Sequence, residues 1–157
     1  MTFSEIIGFG HYLPEKIMDN NGLKKFVDTS DEWIFSRTGI IERRVASDEE
    51  ATSDLALGAA QIALKDADVL PEEIDLVVVA TITPDMAFPS TACLLQHKLG
   101  LRNICCFDLE AACSGFVYAL DVVDGLLHSG RYKKALVVGA EKLSSIIVYT
   151  DYFKKHF

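Results

Sequence analysis

Four thiols are the most reactive side chains in this sequence: Cys93, Cys105, Cys106 and Cys113. No two form a C-x-x-C pair, which weighs against a zinc ribbon, a thioredoxin-like motif or any metal centre. Free cysteine also packs as a small hydrophobe, so four inert thiols would require no chemistry. Cys113 stands apart by its surroundings. It follows the apolar run from Ile104 to Leu109, which reads as a buried strand, and opens a stretch to about Ser129 that reads as a helix stopped by Gly130. A thiol attacks as its thiolate, and the unpaired N–H groups and macrodipole at a helix N-terminus favour an anion. The same N–H groups could stabilise an oxyanion on a thioester carbonyl, and Gly115 would let the backbone pass close to the reacting group. On the residues alone, a nucleophilic Cys113 and a merely packed one both remain open.

A second candidate pair is Trp33 and Arg37, whose four-residue spacing puts them on one helix face. An indole can stack on a purine, and a guanidinium can stack or hold a phosphate. A core tryptophan beside a surface ion pair would fit the same spacing. Gly8-Phe9-Gly10 begins like a dinucleotide fingerprint, but the third glycine is missing and Pro14 stands where a helix should open. His97 and His128 belong to solvated helix faces, as do Asp121 and Asp124.

The elements that must hold these groups follow from patterning. Ser4 to Gly10 reads as a first strand. Asn20 or Asn21 can cap a short helix to Val27. Thr29-Ser30-Asp31-Glu32 is a capping-box pattern opening a helix through Trp33 to Arg37, with Gly39 as its stop. Ile40 to Ala46 is extended. A longer helix runs from about Ser53 to Ala67 with Leu55, Ala59, Ile62 and Ala63 as its apolar stripe. Leu76 to Ala80 is a β-branched run of the kind buried on both faces. Pro89-Ser90-Thr91 starts a helix that Gly100 ends, and Ala135 to Ala140 is a further strand. Residues 76–140 thus alternate strand and helix, which implies a parallel sheet with right-handed crossovers. Ligands of such sheets sit beyond the carboxyl ends of the strands, where Cys113 falls.

Composition sets the outer limits. The chain has 157 residues, 50% hydrophobic and 24% charged, a globular composition sized for one domain. A net charge of −8 argues against nucleic-acid or membrane-surface partners. No apolar run approaches the roughly 20 residues of a membrane span, and Met1 to Gly10 carries no signal-peptide pattern. A cytoplasmic location with reduced thiols is the expectation.

The segment from Phe107 to Leu120, with Glu110-Ala111-Ala112-Cys113-Ser114-Gly115-Phe116 at its centre, closely resembles the nucleophile segment of the β-ketoacyl-acyl-carrier-protein synthase III family. Asp28 to Ile34, Arg37-Thr38-Gly39-Ile40, Ala87-Phe88-Pro89-Ser90 and Ala135 to Gly139 resemble further segments of that family, so the similarity runs from residue 4 to about 151. It implies an α/β chain that forms the N-terminal half of a thiolase-like fold, with helices on both faces of a parallel-type sheet. It further implies that Cys113 takes an acyl group, typically acetyl, from a coenzyme A thioester, and that malonyl-acyl-carrier protein then condenses with it to start a fatty-acid chain. Coenzyme A thioester is there a substrate, and no cofactor or metal is implied. By the same resemblance Thr29, Trp33 and Arg37 face coenzyme A, and Phe88 reaches the partner subunit's acyl pocket in a homodimer. Thr29 could equally be explained by the capping box.

The resemblance also has an edge. Residues 1–151 read as the thiolase-like N-terminal half and 152–157 as a divergent tail, with Tyr152 where the family usually has arginine. The family's catalytic histidine and asparagine lie in a second half beyond that point, so condensation by this chain alone is not expected. A truncated or frame-shifted copy, and a short chain that pairs with a separate C-terminal half, both fit. A non-catalytic coenzyme A-binding or dimerisation fragment is the alternative function. An unfinished sheet with uncovered apolar surface should be poorly soluble alone.

Overall fold

The computed structural model describes residues 4–147, which form two compact units. The expected divergent tail, 152–157, lies outside the described residues, as do 148–151.

One unit contains residues 13–49 and 143–147. Strand β1 (Ile17–Asp19) leads directly into α1 (Asn20–Leu23), followed by α2 (Asp31–Thr38) and β2 (Glu42–Arg44). β1 and β2 pair antiparallel, with Met18 opposite Arg43. α1 is a single turn rather than a helix to Val27. Asp19, not Asn20 or Asn21, caps it by accepting the Gly22 N–H at 2.7 Å. Gly22 is a poor helix former, and Phe26 and Val27 continue only as turns back to the Leu23 carbonyl. α2 forms where the pattern implies, but its cap is Ser30 rather than the Thr29 of the capping box: the Ser30 hydroxyl accepts the Trp33 N–H at 3.1 Å, Asp31 and Glu32 fill the first turn, and Gly39 ends it at φ 70°.

The other unit contains residues 4–12 and 50–142. It comprises α3 (Thr52–Asp66), β3 (Leu76–Ala80), α4 (Thr91–Lys98), β4 (Cys105–Leu109), α5 (Gly115–His128) and β5 (Ala135–Gly139). The three strands make a parallel sheet in the order β4-β3-β5. β3 is central, and Leu76, Val77, Val78 and Val79 are fully buried. Val77 and Val79 face α3 and α4 through Ala56, Ala60, Leu64, Ala92 and Leu95. Leu76, Val78 and Ala80 face α5 through Ala119 and Val123. Helices therefore cover both faces, as expected. β4 is less buried than its sequence suggests: Cys105 is exposed and the rest of the strand half-buried. The reason is topological, since β4 pairs only with β3 among the described residues.

Two further expectations fail for physical reasons. Residues 4–10 form no strand. Their backbone has no ladder partner among the described residues, and the Phe9 N–H goes instead to the Asp66 carboxylate at 2.9 Å. The segment lies against α3 through its glycines. A Cβ on Gly10 would fall 2.1 Å from the Ala59 carbonyl oxygen, and one on Gly8 2.7 Å from that of Ala63. The Gly-x-Gly pattern is thus a packing device. The buried stripe of α3 is also turned from the expected one: Leu55, Ala56, Ala60 and Leu64 face inward, whereas Ile62 is 46% exposed. Ala59 and Ala63 are the small residues on which Gly8 and Gly10 rest.

At the amino ends of the strands, Asp75 ties three segments together. Its carboxylate accepts the Lys133 N–H at 2.9 Å and meets the Arg102 guanidinium at 2.6 Å. The Lys133 backbone bond first, then Lys134 and Arg102, hold this carboxyl below its usual value despite opposing desolvation. A carboxylate with a lowered folded-state pKa stabilises the fold above the unfolded value and loses that effect as pH falls through the folded one. Asp75→Asn should therefore cost about 1 kcal/mol at neutral pH. The difference from the parent chain should close below the ordinary aspartate value of 3.8. Denaturant titrations at several pH values read this directly.

Candidate functional site

Cys113 does not begin a helix. It occupies a single 3-10 turn, Ala112–Ser114, set between the carboxyl end of β4 and the start of α5 at Gly115. The Ser114 N–H is bonded to the Ala111 carbonyl and the Gly115 N–H to that of Ala112, so these two donors close the turn and are not aimed at a ligand. Ala112 adopts φ 44°, the left-handed region that a residue with a Cβ enters at a cost of about 1–2 kcal/mol. Such local strain presents Cys113 outward, and its side chain is exposed. At Gly115, a Cβ would come 3.2 Å from the Ala80 Cβ. The smallness of this glycine lets α5 start hard against the end of β3.

Carboxylates fix the neighbouring loops. Asp108 on β4 accepts the Thr91 and Ala92 N–H groups at 2.7 and 2.8 Å and so anchors the N-terminus of α4. Asp85 accepts the Ser53 N–H at 2.8 Å at the first turn of α3. Glu141, just past β5, accepts the Ile82 N–H at 2.9 Å and is also bonded to the Thr83 hydroxyl. These bonds brace the segment 81–90, on which Phe88 stands 88% exposed. A cleft of about 490 Å³ opens beside it at the carboxyl ends of β3 and β4, lined by Thr81, Met86, Asp108 and Glu110 among others. Asp108 and Glu141 were not singled out from sequence. Asp108 lies inside the quoted nucleophile segment, but nothing in a linear pattern shows a side chain turned back onto a helix end.

Trp33 and Arg37 belong to the other unit. The structure brings them together: the Arg37 guanidinium lies 4.8 Å from the centre of the Trp33 ring. Trp33 is 47% exposed, so the core reading of this residue is excluded. Thr29 precedes the cap, which is Ser30, and capping does not account for it. Its hydroxyl oxygen is buried with no hydrogen-bond partner among the described residues.

Residues 107–156 match the family profile of 3-oxoacyl-[acyl-carrier-protein] synthase III. Over 149 residues, 95% of this chain, the sequence is 57% identical to the β-ketoacyl-[acyl-carrier-protein] synthase III of Xanthomonas oryzae. The crystal structure of 3-oxoacyl-[acyl-carrier-protein] synthase III from Aquifex aeolicus superimposes with a TM-score of 0.91 at 52% identity, covering 95% of this chain and 48% of that one. This chain belongs to the β-ketoacyl-acyl-carrier-protein synthase III family. It corresponds to the N-terminal part of the family's sequence and spans about half the length of the curated relatives it matches, 46% in the Xanthomonas case. A priming β-ketosynthase from a polyketide pathway superimposes equally well, TM-score 0.91 at 38% identity, so backbone shape alone does not separate synthase III from its polyketide relatives. Among the described residues no helix is long and apolar enough to cross a membrane.

The four thiols of this chain differ sharply in environment. Cys93, Cys105 and Cys113 are exposed. Cys106 is half-buried, its thiol donates to the Gln96 side-chain amide oxygen Oε1 at 2.7 Å, and its pKa is pushed up to about 12 by burial and by the nearby thiols of Cys93 and Cys105. In a dithiobis-nitrobenzoate titration at pH 8, three thiols should react together. Cys106 should lag by at least about tenfold, because its thiolate is scarce and screened. Cys106→Ser should remove only the slow phase.

Proposed function

We propose that this chain carries the acyl-accepting part of the condensing reaction that initiates fatty-acid synthesis. The observation that supports it most is an exposed cysteine on a strained turn at the carboxyl end of a parallel sheet, in a chain 57% identical to synthase III over 95% of its length. Cys113 Sγ, as thiolate, attacks the carbonyl carbon of an acetyl or other short acyl-coenzyme A. A bond forms from Sγ to the acyl carbon, and the bond from that carbon to the coenzyme A sulfur breaks. Coenzyme A leaves as thiolate and takes up the proton that Cys113 gave up. Malonyl-acyl-carrier protein then loses carbon dioxide, and its carbanion attacks the acyl carbon and expels the Cys113 thiolate. The product is a 3-oxoacyl-carrier protein.

The acyl-transfer step needs the thiol and donors near it. Condensation needs in addition the histidine and asparagine that the resemblance assigns to the half of the family sequence these 157 residues do not span. Trp33 and Arg37, already stacked, offer a flat cationic platform for the adenine and phosphates of coenzyme A, with the Thr29 hydroxyl nearby in sequence. Phe88, so fully exposed, suits insertion into the acyl pocket of a partner subunit, and β4 and β5, which pair only with β3 among the described residues, leave room for further pairing. The preformed Trp33–Arg37 pair also favours a second reading, a coenzyme A-binding module without condensation.

Incubated with acetyl-coenzyme A, this chain should gain one acetyl group on Cys113, seen by mass spectrometry and lost in Cys113→Ser. With malonyl-acyl-carrier protein added it should form no acetoacetyl-carrier protein. An adduct on Cys93, Cys105 or Cys106 would reject the nucleophile, and robust product would reject the division of labour between the halves. For the nucleotide platform, Trp33→Ala should weaken coenzyme A binding at least about tenfold by calorimetry. Unchanged affinity would sink that assignment.

A further inference from the structure

Helix α2 presents both platform residues, yet it has little hydrophobic anchorage. Of its eight residues only Ile34 is buried. Polar bonds must therefore decide where it sits, and they converge on one side chain. Asn20 is 1% exposed. Its amide nitrogen donates to the Asp31 carboxylate and to the Ile40 carbonyl, each at 2.7 Å. Its amide oxygen accepts from the Arg43 guanidinium at 2.6 Å, and Arg43 is itself fixed on the Met18 carbonyl at 3.1 Å. Both amide hydrogens and the oxygen are thus engaged. Asp31 is the first residue of α2, and Ile40 lies just past Gly39, which ends it. One amide therefore ties the entry and the exit of the helix to the β1–β2 ribbon, and Trp33 and Arg37 lie between the two ties.

We infer that Asn20 is the positioning residue for the Trp33–Arg37 pair: it fixes the helix that stacks the guanidinium on the indole and so sets affinity for a nucleotide. The link to coenzyme A rests on the nucleotide reading of that pair given above; the link to the geometry of the pair does not. Asn20 itself faces no ligand, being enclosed by Asp31, Ile40 and Arg43. An aspartate at this position would lose both donations and set two carboxylates side by side. Exchanging the two groups, with aspartate at 20 and asparagine at 31, restores one donor facing one acceptor and keeps a partner for Arg43.

Trp33 is the only tryptophan, so its emission reports the stack directly. Removing the guanidinium with Arg37→Ala should shift Trp33 emission in the parent chain and leave it unchanged in an Asn20→Ala background. Calorimetry with coenzyme A should show affinity falling about tenfold in Asn20→Ala and further in Asn20→Asp. The N20D/D31N pair should bind more tightly than N20D alone, because the exchange restores the tie between position 20 and the entry of α2. Should Asn20→Ala fail to fold by circular dichroism, the comparison of N20D with N20D/D31N decides. The inference is overturned if Arg37→Ala shifts the emission equally in both backgrounds, or if the exchange brings no recovery. If coenzyme A affinity ignores Trp33→Ala while the emission result holds, the nucleotide reading fails and the positioning role stands.

Discussion

Five consecutive residues that exclude water on both sides dictate the larger unit. Leu76 to Ala80 can be dry only if every backbone N–H and C=O finds a partner in the sheet and both side-chain faces are covered. β4 and β5 meet the first need, one on each side; α3 with α4, and α5, meet the second. Parallel pairing forces each connection to cross from one end of the sheet to the other. The chain therefore turns sharply at the carboxyl ends of the strands, and these turns are where Cys113 and Phe88 stand. Cys113 is placed by the burial of a strand to which it does not belong.

The apolar core leaves the ends of the helices to polar groups. Asp108 holds α4, Asp85 holds α3 and Glu141 holds the segment between β3 and α4. Each accepts backbone N–H groups that would otherwise be unpaired, and those on the helices also meet the positive end of a dipole. The same economy governs the smaller unit, where Asn20 does for α2 what a wider apolar face would do elsewhere. Precision at the loops is thus carried by a few short side chains, while bulk stability resides in the valines and leucines beneath.

Much of this was legible in the residues because local chemistry and tertiary context agree. Leu76 to Ala80 and Ala135 to Gly139 are strands, and Gly39 ends α2, as their patterns require. The failures share one cause, dependence on a distant partner. Ser4 to Gly10 has strand-like residues, but a strand exists only when another offers its edge. Ile62 has the right spacing for a helix core, yet which face of an alanine-rich helix turns inward is settled by what lies across from it. α5 begins two residues later than the pattern implies, because Ala112 takes up a left-handed backbone that no propensity for alanine would suggest. Among the candidate residues, Cys113, Trp33 and Phe88 were singled out through their neighbours in sequence, whereas Asn20, Asp108 and Glu141 act within their own units through bonds to remote backbone.

The meeting of Gly8 and Gly10 with α3 bears on how this stretch of sequence can vary. Every missense change of one base in a glycine codon introduces a residue with a Cβ. At position 10 that carbon would overlap the Ala59 carbonyl oxygen at 2.1 Å, and at position 8 the Ala63 oxygen at 2.7 Å. Both obstacles are helix backbone, which cannot step aside as a side chain can. Neither site has a tolerated neighbour one mutational step away. Drift can reshape the exposed Ile6, Ile7 and Phe9 around them, but the two glycines are islands in sequence space, reachable only together with a displacement of α3 itself.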